Sequence, residues 1–468
     1  MRSPAPTLLS LAVVIALAAV AVPSAASESR SDVESAVRGY AEANAVPGMV
    51  AVVVPSDGAV TTVPHGRTSD GAPVTADTPF RIASMAKAFT GVAVQQLAEA
   101  GRLRLDQPVV ELLPDFAVAD PRGDRITVRH LLGHTSGLAL ADVDEFRQPS
   151  PASAAADVEH LRRVPLATDP GTRHEYLNTN YTVLARMIEE LTGRSYGDHL
   201  HDAVLEPLGM TATVATDRCE EEVPGLARGH VGALGVQIAV PEIPAVCTGN
   251  GGVVTTAADL TRWLRFQLGD GTTPDGTRLL SAASLRESHT PAPGTDGRYG
   301  LGWSSRTTDD GRVRTLHTGE LGTFTSAIEL SPRGTGAFVL TDAAGRPGNL
   351  AADLVAAADG VAPVPPTTDP VRVLQPVLLG MAALTVVAAV IGVVRAPRRA
   401  GRRRPVSAPA LAVVGGLLLL PALSLLALPP SWTGWTLLLW MLPTGVVLAL
   451  VLVAGGVAVL TARRLRRS

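Results

Sequence analysis

Three apolar runs near the end of the chain, residues 373–394, 408–428 and 435–460, constrain everything that precedes them. Each is about as long as the ~20 residues that cross a bilayer as a helix, and a water-soluble core has little room for three of them in succession. Arg395, Arg398, Arg399, Arg402, Arg403 and Arg404 follow the first run, and Arg463, Arg464, Arg466 and Arg467 follow the last, whereas residues 429–434 carry no charge. Because arginine-rich flanks stay cytoplasmic, the pattern predicts three transmembrane helices with everything before residue 373 outside. Trp432, Trp435 and Trp440 collect at the predicted outer boundary, where amphipathic rings favour the interface. At the other end, Arg2 precedes an apolar stretch over 8–22, and Ser24-Ala25-Ala26 has the small residues of a signal-peptidase site. A signal peptide over 1–26 is predicted, and it gives the same orientation independently.

Charge separates along the same lines. Residues 1–26 hold one arginine and no acid, and residues 372–468 hold eleven arginines and no acid, so 28 basic and all 43 acidic residues fall between them. That excess of 15 negative charges argues against nucleic acid or anionic lipid as a partner of the exported part. Cys219 and Cys247 are the only cysteines, and an oxidising exterior predicts a disulfide between them.

Residues 27–362 read as one domain of α/β class, and the proline-rich 363–372 as a linker to the membrane. Ser31-Asp-Val-Glu34 has the form of a capping box before a helix carrying Val33, Val37 and Tyr40, which Pro47 ends. Runs 49–54 and 59–63, separated by Pro-Ser-Asp-Gly, predict a hairpin. Runs 313–316, 324–330 and 337–341 predict strands, and 349–358 a closing helix. Strands at both ends around a helix-rich middle imply an antiparallel sheet assembled from the two ends of the domain.

Within "RIASMAKAFTG", residues 81–91, lies the chain's only lysine, Lys87, among forty basic residues. A helix starting near Ser84 sets Lys87 one turn away on the same face. Serine needs a base to become a nucleophile. Arginine never deprotonates usefully, whereas a lysine's pKa can be lowered by burial. For this tetrad alone the alternative stands equal, with Ser84 as a helix cap and Lys87 at the surface. Tyr176-Leu-Asn178, ahead of a helix, and His317-Thr318-Gly319, at the end of a strand, are two further candidates. Taken alone, the first is more often a packing residue and a cap, and the second is merely a strand end with a turn. His130 and His134 straddle Gly133, lack a third ligand and read as structural.

In this order the three motifs resemble the serine β-lactamase and penicillin-binding-protein superfamily, where S-x-x-K accompanies a tyrosine motif and a K-T-G-type strand. The likeness is greatest to the class C β-lactamase, DD-carboxypeptidase and esterase branch. It spans about residues 30–360 and includes "ITVRHLLGHTSGL" at 126–138, "PGTRHEYLNTNYTVLARMIEELTG" at 170–193, "GGVVTTAADLTRWL" at 251–264 and "YGLGW" at 299–303. It implies an antiparallel sheet flanked by helices with a helical subdomain, and no cofactor or metal. It implies Ser84 as the acylated nucleophile, Lys87 as its base and Tyr176 as the proton relay. Asn178, His317, Thr318 and Gly319 would bind substrate, and the backbone N–H groups of Ser84 and Glu320 would form the oxyanion hole. The chain departs from the branch at His317, where true β-lactamases carry lysine, and at Glu320, whose charge opposes a substrate carboxylate.

The expectation is therefore a membrane-anchored extracellular serine hydrolase acting on ester, amide or D-amino-acid substrates of cell-wall type. DD-carboxypeptidase or weak β-lactamase activity is the nearer alternative. A non-catalytic wall-binding or sensor module is the alternative of another class. The sequence carries no signal of oligomeric state.

Overall fold

Strand β1, Gly48–Val54, is buried along its whole length, and its sequence GMVAVVV is what a strand covered on both faces requires. Val50, Val52 and Val54 enter one hydrophobic core. Met49, Ala51 and Val53 enter another. The computed structural model describes residues 25–394 except 58, 146–149, 234–235, 246, 309–310 and 362–369, together with 450, 451, 454 and 455. Most of the expected signal peptide, the greater part of the linker, the run 408–428 and nearly all of 435–460 lie outside the described residues.

The remaining strands are β2 (Thr61–Gly66), β3 (Phe80–Arg81), β4 (Val214–Ala215), β5 (Gly229–Ala233), β6 (Val236–Val240), β7 (Val253–Thr255), β8 (Ser304–Thr307), β9 (Val313–Glu320), β10 (Thr325–Leu330) and β11 (Gly336–Thr341). The helices are α1 (Ala25–Asn44), α2 (Ala86–Glu99), α3 (Val128–Leu132), α4 (Ala154–His160), α5 (Asn178–Thr192), α6 (Tyr196–Leu200), α7 (Ala257–Leu268), α8 (Ala282–His289), α9 (Pro347–Ala358) and α10 (Pro370–Val394). The main sheet runs β2-β1-β11-β10-β9-β8 and is antiparallel throughout. Within it the pairing of β1 with β11 joins the two ends of the domain as expected.

One face of the sheet packs on α1 and α9 through Val37, Tyr40, Leu350 and Leu354. The other face packs on α2, α7 and the helices between β3 and β4. There Phe89 of α2 stacks on Trp263 of α7 with ring centroids 3.7 Å apart. Two details differ from the sequence reading. Helix α1 is already formed at Ala25, so Ser31 lies inside it rather than capping it; Ala-Ala-Ser-Glu-Ser-Arg contains no glycine or proline to stop the helix propagating. The apolar run 373–394 does lie in one helix, α10, but some of its side chains are outside the described residues. Among the described residues, no helix is long and apolar enough to cross a membrane.

Phe338 of β11 is fully buried in the larger core. Phe338→Ala should cost about 3–5 kcal/mol, read as a lower urea midpoint with an unchanged slope.

Candidate active site

The turn that carries Ser84 is set by the backbone on either side of it. Phe80 and Arg81 pair with β7, and Ile82 N donates to Val253 O at 3.1 Å. Ala83 then turns the chain at φ 49°, a left-handed conformation that costs a non-glycine residue roughly 1–3 kcal/mol. A short 3-10 turn, Ala83–Met85, leads into α2. Ser326 Oγ of β10 donates to Ile82 O at 2.7 Å and pins the bend from the sheet side. Contrary to one reading of the sequence, Ser84 caps nothing: no side-chain cap precedes either the turn or α2.

Lys87 is not a surface residue. It is 0% exposed, and its Nζ lies 3.1 Å from Ser84 Oγ, 2.8 Å from Asn178 Oδ1 and 2.8 Å from Asn250 O. Burial lowers its pKa to about 7, with the charge on Glu145 opposing that fall. A neutral amine has two N–H donors and one lone pair. Here the two carbonyl oxygens take the donors, and the lone pair is left for the Ser84 proton. Arginine at this position offers no such lone pair.

The Tyr176 hydroxyl interacts with the Ser84 side chain. Its ring centroid lies 4.9 Å from Lys87 Nζ and 4.3 Å from that of His134. The residue is 37% exposed, and burial pushes the titration of its hydroxyl up. Tyr176 is therefore a phenol, a proton donor, near neutral pH. His134, read from the sequence as structural, holds this segment: its Nδ1 accepts from Leu177 N and lies 3.2 Å from Asn180 Nδ2. His130 closes a capping box with Thr127 at the start of α3.

The third motif forms the end of β9. Strand β8 pairs with Val313–Leu316 and does not extend alongside His317–Glu320. Gly319 has to be glycine: a Cβ there would lie 2.1 Å from Ile82 O and 2.3 Å from Ser326 Oγ. This close approach brings the Glu320 backbone beside the Ser84 turn. The Thr318 and Glu320 side chains are exposed, and that of His317 is buried. His317 Nδ1 lies 2.7 Å from Thr318 O, and its Nε2 lies 2.8 Å from Tyr299 Oη. The ring thus donates from Nδ1 and accepts at Nε2. Burial, then the nearby Lys87, lowers its pKa to about 3, so it supplies no positive charge at neutral pH.

Three contributors escaped the sequence reading. Asn250 O accepts from Lys87, and the turn presenting it is drawn together by Cys247 O, which accepts from Asn250 N, Gly251 N and Gly252 N. Cys247 is joined to Cys219 by a disulfide. Tyr299 Oη donates to Nε2 of His317, whose tautomer the Thr318 carbonyl sets. Glu145 accepts from Asn178 Nδ2 at 3.1 Å and from Thr179 N and Oγ1 at 2.7 and 2.9 Å. Asn250 sits in a glycine-rich turn and Glu145 in an acidic stretch, contexts that look like solvated loops. Tyr299 alone had a visible signal, within YGLGW.

Antiparallel sheet, helical subdomain and serine–lysine pair together have the form of the β-lactamase and penicillin-binding-protein class. The beta-lactamase family model matches residues 33–362, and the chain belongs to that family. It is 40% identical over 223 residues to penicillin-binding protein 4 of Amycolatopsis lactamdurans, covering 46% of this chain and 57% of that one. The chain spans about half the length of the curated relatives it matches. Among solved structures, the octameric penicillin-binding protein homologue from Pyrococcus abyssi matches with a TM-score of 0.61 and 26% identity, over 75% of this chain and 81% of that one. A D-stereospecific amidohydrolase from Streptomyces sp. matches with a TM-score of 0.57 and 25% identity, over 73% of this chain and all of that one.

Gly319→Ala should force β9 away from Ile82. Labelling of Ser84 by an activated phosphonate should then slow by roughly 10²–10³-fold, the worth of one oxyanion-hole donor, with the circular dichroism spectrum preserved. Labelling at the wild-type rate would show that the close approach is not needed.

Proposed function

We propose that this chain is a membrane-anchored, extracellular serine hydrolase that cleaves amide or ester bonds of D-amino-acid-type substrates through an acyl-enzyme on Ser84. The observation that carries this reading is the buried Lys87 amine, held by two carbonyl oxygens with Ser84 Oγ at its third position. In the proposed mechanism Lys87 takes the Ser84 proton as Oγ attacks the substrate carbonyl. The N–H groups of Ser84 and Glu320 stabilise the oxyanion that forms. Collapse breaks the amide or ester bond, and Tyr176 gives its proton to the departing amine or alkoxide, recovering one from Lys87. In the second half, water passes a proton through the Tyr176 hydroxyl to the neutral Lys87 amine and attacks the acyl carbonyl; the ester bond to Ser84 breaks, Lys87 returns that proton to Ser84 Oγ, and the acid is released.

Charge supports the substrate class. His317 is neutral where a lysine would draw a carboxylate, and Glu320 adds a negative side chain on the exposed face of the same strand end. Substrates uncharged or cationic at that end fit better than a free C-terminal carboxylate. The likeness to a D-stereospecific amidohydrolase points the same way. Anchoring rests on the three apolar runs and their arginine flanks. The chain holds only substrate in this reading, without cofactor or nucleic acid.

A fluorophosphonate should give a stoichiometric adduct on Ser84 that Ser84→Ala abolishes; no adduct with any serine-directed probe favours the non-catalytic binding module. On a D-amino-acid amide, kcat/KM should rise with pH through about 7, because the amine must lose its proton to act. Lys87→Arg should fold and lose roughly 10²–10⁴ in acylation, as befits removal of a general base. A profile flat from about pH 5 to about pH 9 rules out Lys87 as that base. For topology, protease added to intact cells should digest the hydrolase domain; full protection in cells that remain sealed overturns the extracellular placement.

A further inference from the structure

Glu145 belongs to no motif, yet its carboxylate faces the catalytic amine across one side chain. Asn178 is a two-ended bridge: its Oδ1 accepts from Lys87 Nζ at 2.8 Å, and its Nδ2 donates to Glu145 Oε2 at 3.1 Å. An amide can turn over and exchange its ends. Only one orientation satisfies a carboxylate, which accepts and never donates. The other Glu145 oxygen accepts from the backbone and hydroxyl of Thr179, so the carboxylate is fixed at the start of α5.

We propose that Glu145 is a positioning residue for the general base: it locks the Asn178 oxygen onto Lys87, orients the amine toward Ser84 and keeps a negative charge behind it. The inference rests on the acyl-enzyme reading for its catalytic meaning, and not for the coupling itself. One consequence is that the Asn178 amide is partly committed to Glu145 and enters the substrate cleft already oriented. Another is that the amine titrates where burial, and against it the Glu145 charge, set it. The groups facing Lys87 are Ser84 on its own turn, Tyr176 and Tyr181 at 4.9 and 5.6 Å from Nζ to the ring centroids, and Asn178. His134, His317 and the Asn250 carbonyl complete them. Both histidines are held neutral by burial, which leaves Glu145 as the charge that counters the loss of hydration.

The single lysine makes this directly measurable. The full chain labelled with 13Cε-lysine has one lysine signal, and its pH midpoint is that of Lys87. In Glu145→Gln the midpoint should fall by about one pH unit or more, the scale of losing a nearby opposite charge. The acidic limb of acylation should move with it. Acylation at the wild-type optimum should drop at least tenfold, and Glu145→Gln and Asn178→Ala should be non-additive, since both break one bridge. Glu145→Ser, neutral and small, should give the same fall in midpoint and serves if the glutamine variant does not fold. Thr179→Val removes a hydroxyl contact of the same carboxylate and should leave the midpoint in place. If the neutral variants lower thermal stability to the extent that Thr179→Val does and leave the lysine midpoint unmoved, Glu145 is a helix clamp only and the proposal is overturned. A wild-type chain that forms no Ser84 adduct sinks the hydrolase reading, while the lysine midpoint still decides the coupling.

Discussion

An amine buried without a counterion in contact is the constraint around which this molecule is built. Removing an ammonium group from water is costly, so the site holds Lys87 near the point where it sheds its proton. Its neighbours come from four separate parts of the chain: the 3-10 turn, the start of α5, the Asn250 turn and, through the histidine ring, β9. Each has its own anchor. Ser326 holds the turn, Thr179 and Glu145 hold the start of α5, and the Cys247 carbonyl gathers the Asn250 loop. Satisfying the lysine therefore draws on four segments at once.

The same economy explains the strained residue. Ala83 adopts a conformation usually left to glycine, and the next strand over supplies a glycine where a side chain would be expected. The two irregularities are complementary: the bend at Ala83 pushes Ile82 O toward the sheet, and Gly319 makes room for it. Strain near the serine is offset by the burial of β1, β10 and β11 on both faces.

Much of this was legible in the residues. The hairpin, the three C-terminal strands and the closing helix were visible because apolar periodicity and turn residues agree there. The continuous apolar character of 49–54 was a sign of two-sided burial. Lys87 was conspicuous through composition, and Tyr176 and His317 through their order along the chain. Glu145, Asn250 and the supporting role of His134 were not legible, because nothing local marks a loop residue whose partner lies tens of residues away. The helix boundary at Ala25 was misjudged for the opposite reason: Ser31 and Glu34 have the local form of a cap, and the surrounding residues simply continue the helix. The disulfide could be expected from two cysteines, but its connection to the amine, through the Cys247 carbonyl and Asn250, required the geometry.

The pairing of β1 with β11 has a temporal side. Ser84 and Lys87 are synthesised early, whereas Gly319 and the strands that hold it come more than two hundred residues later. A partly made chain carries the Ser84–Lys87 pair but not the strand end that packs against its turn. The pair is therefore complete in the chain long before the sheet that seats its turn can close.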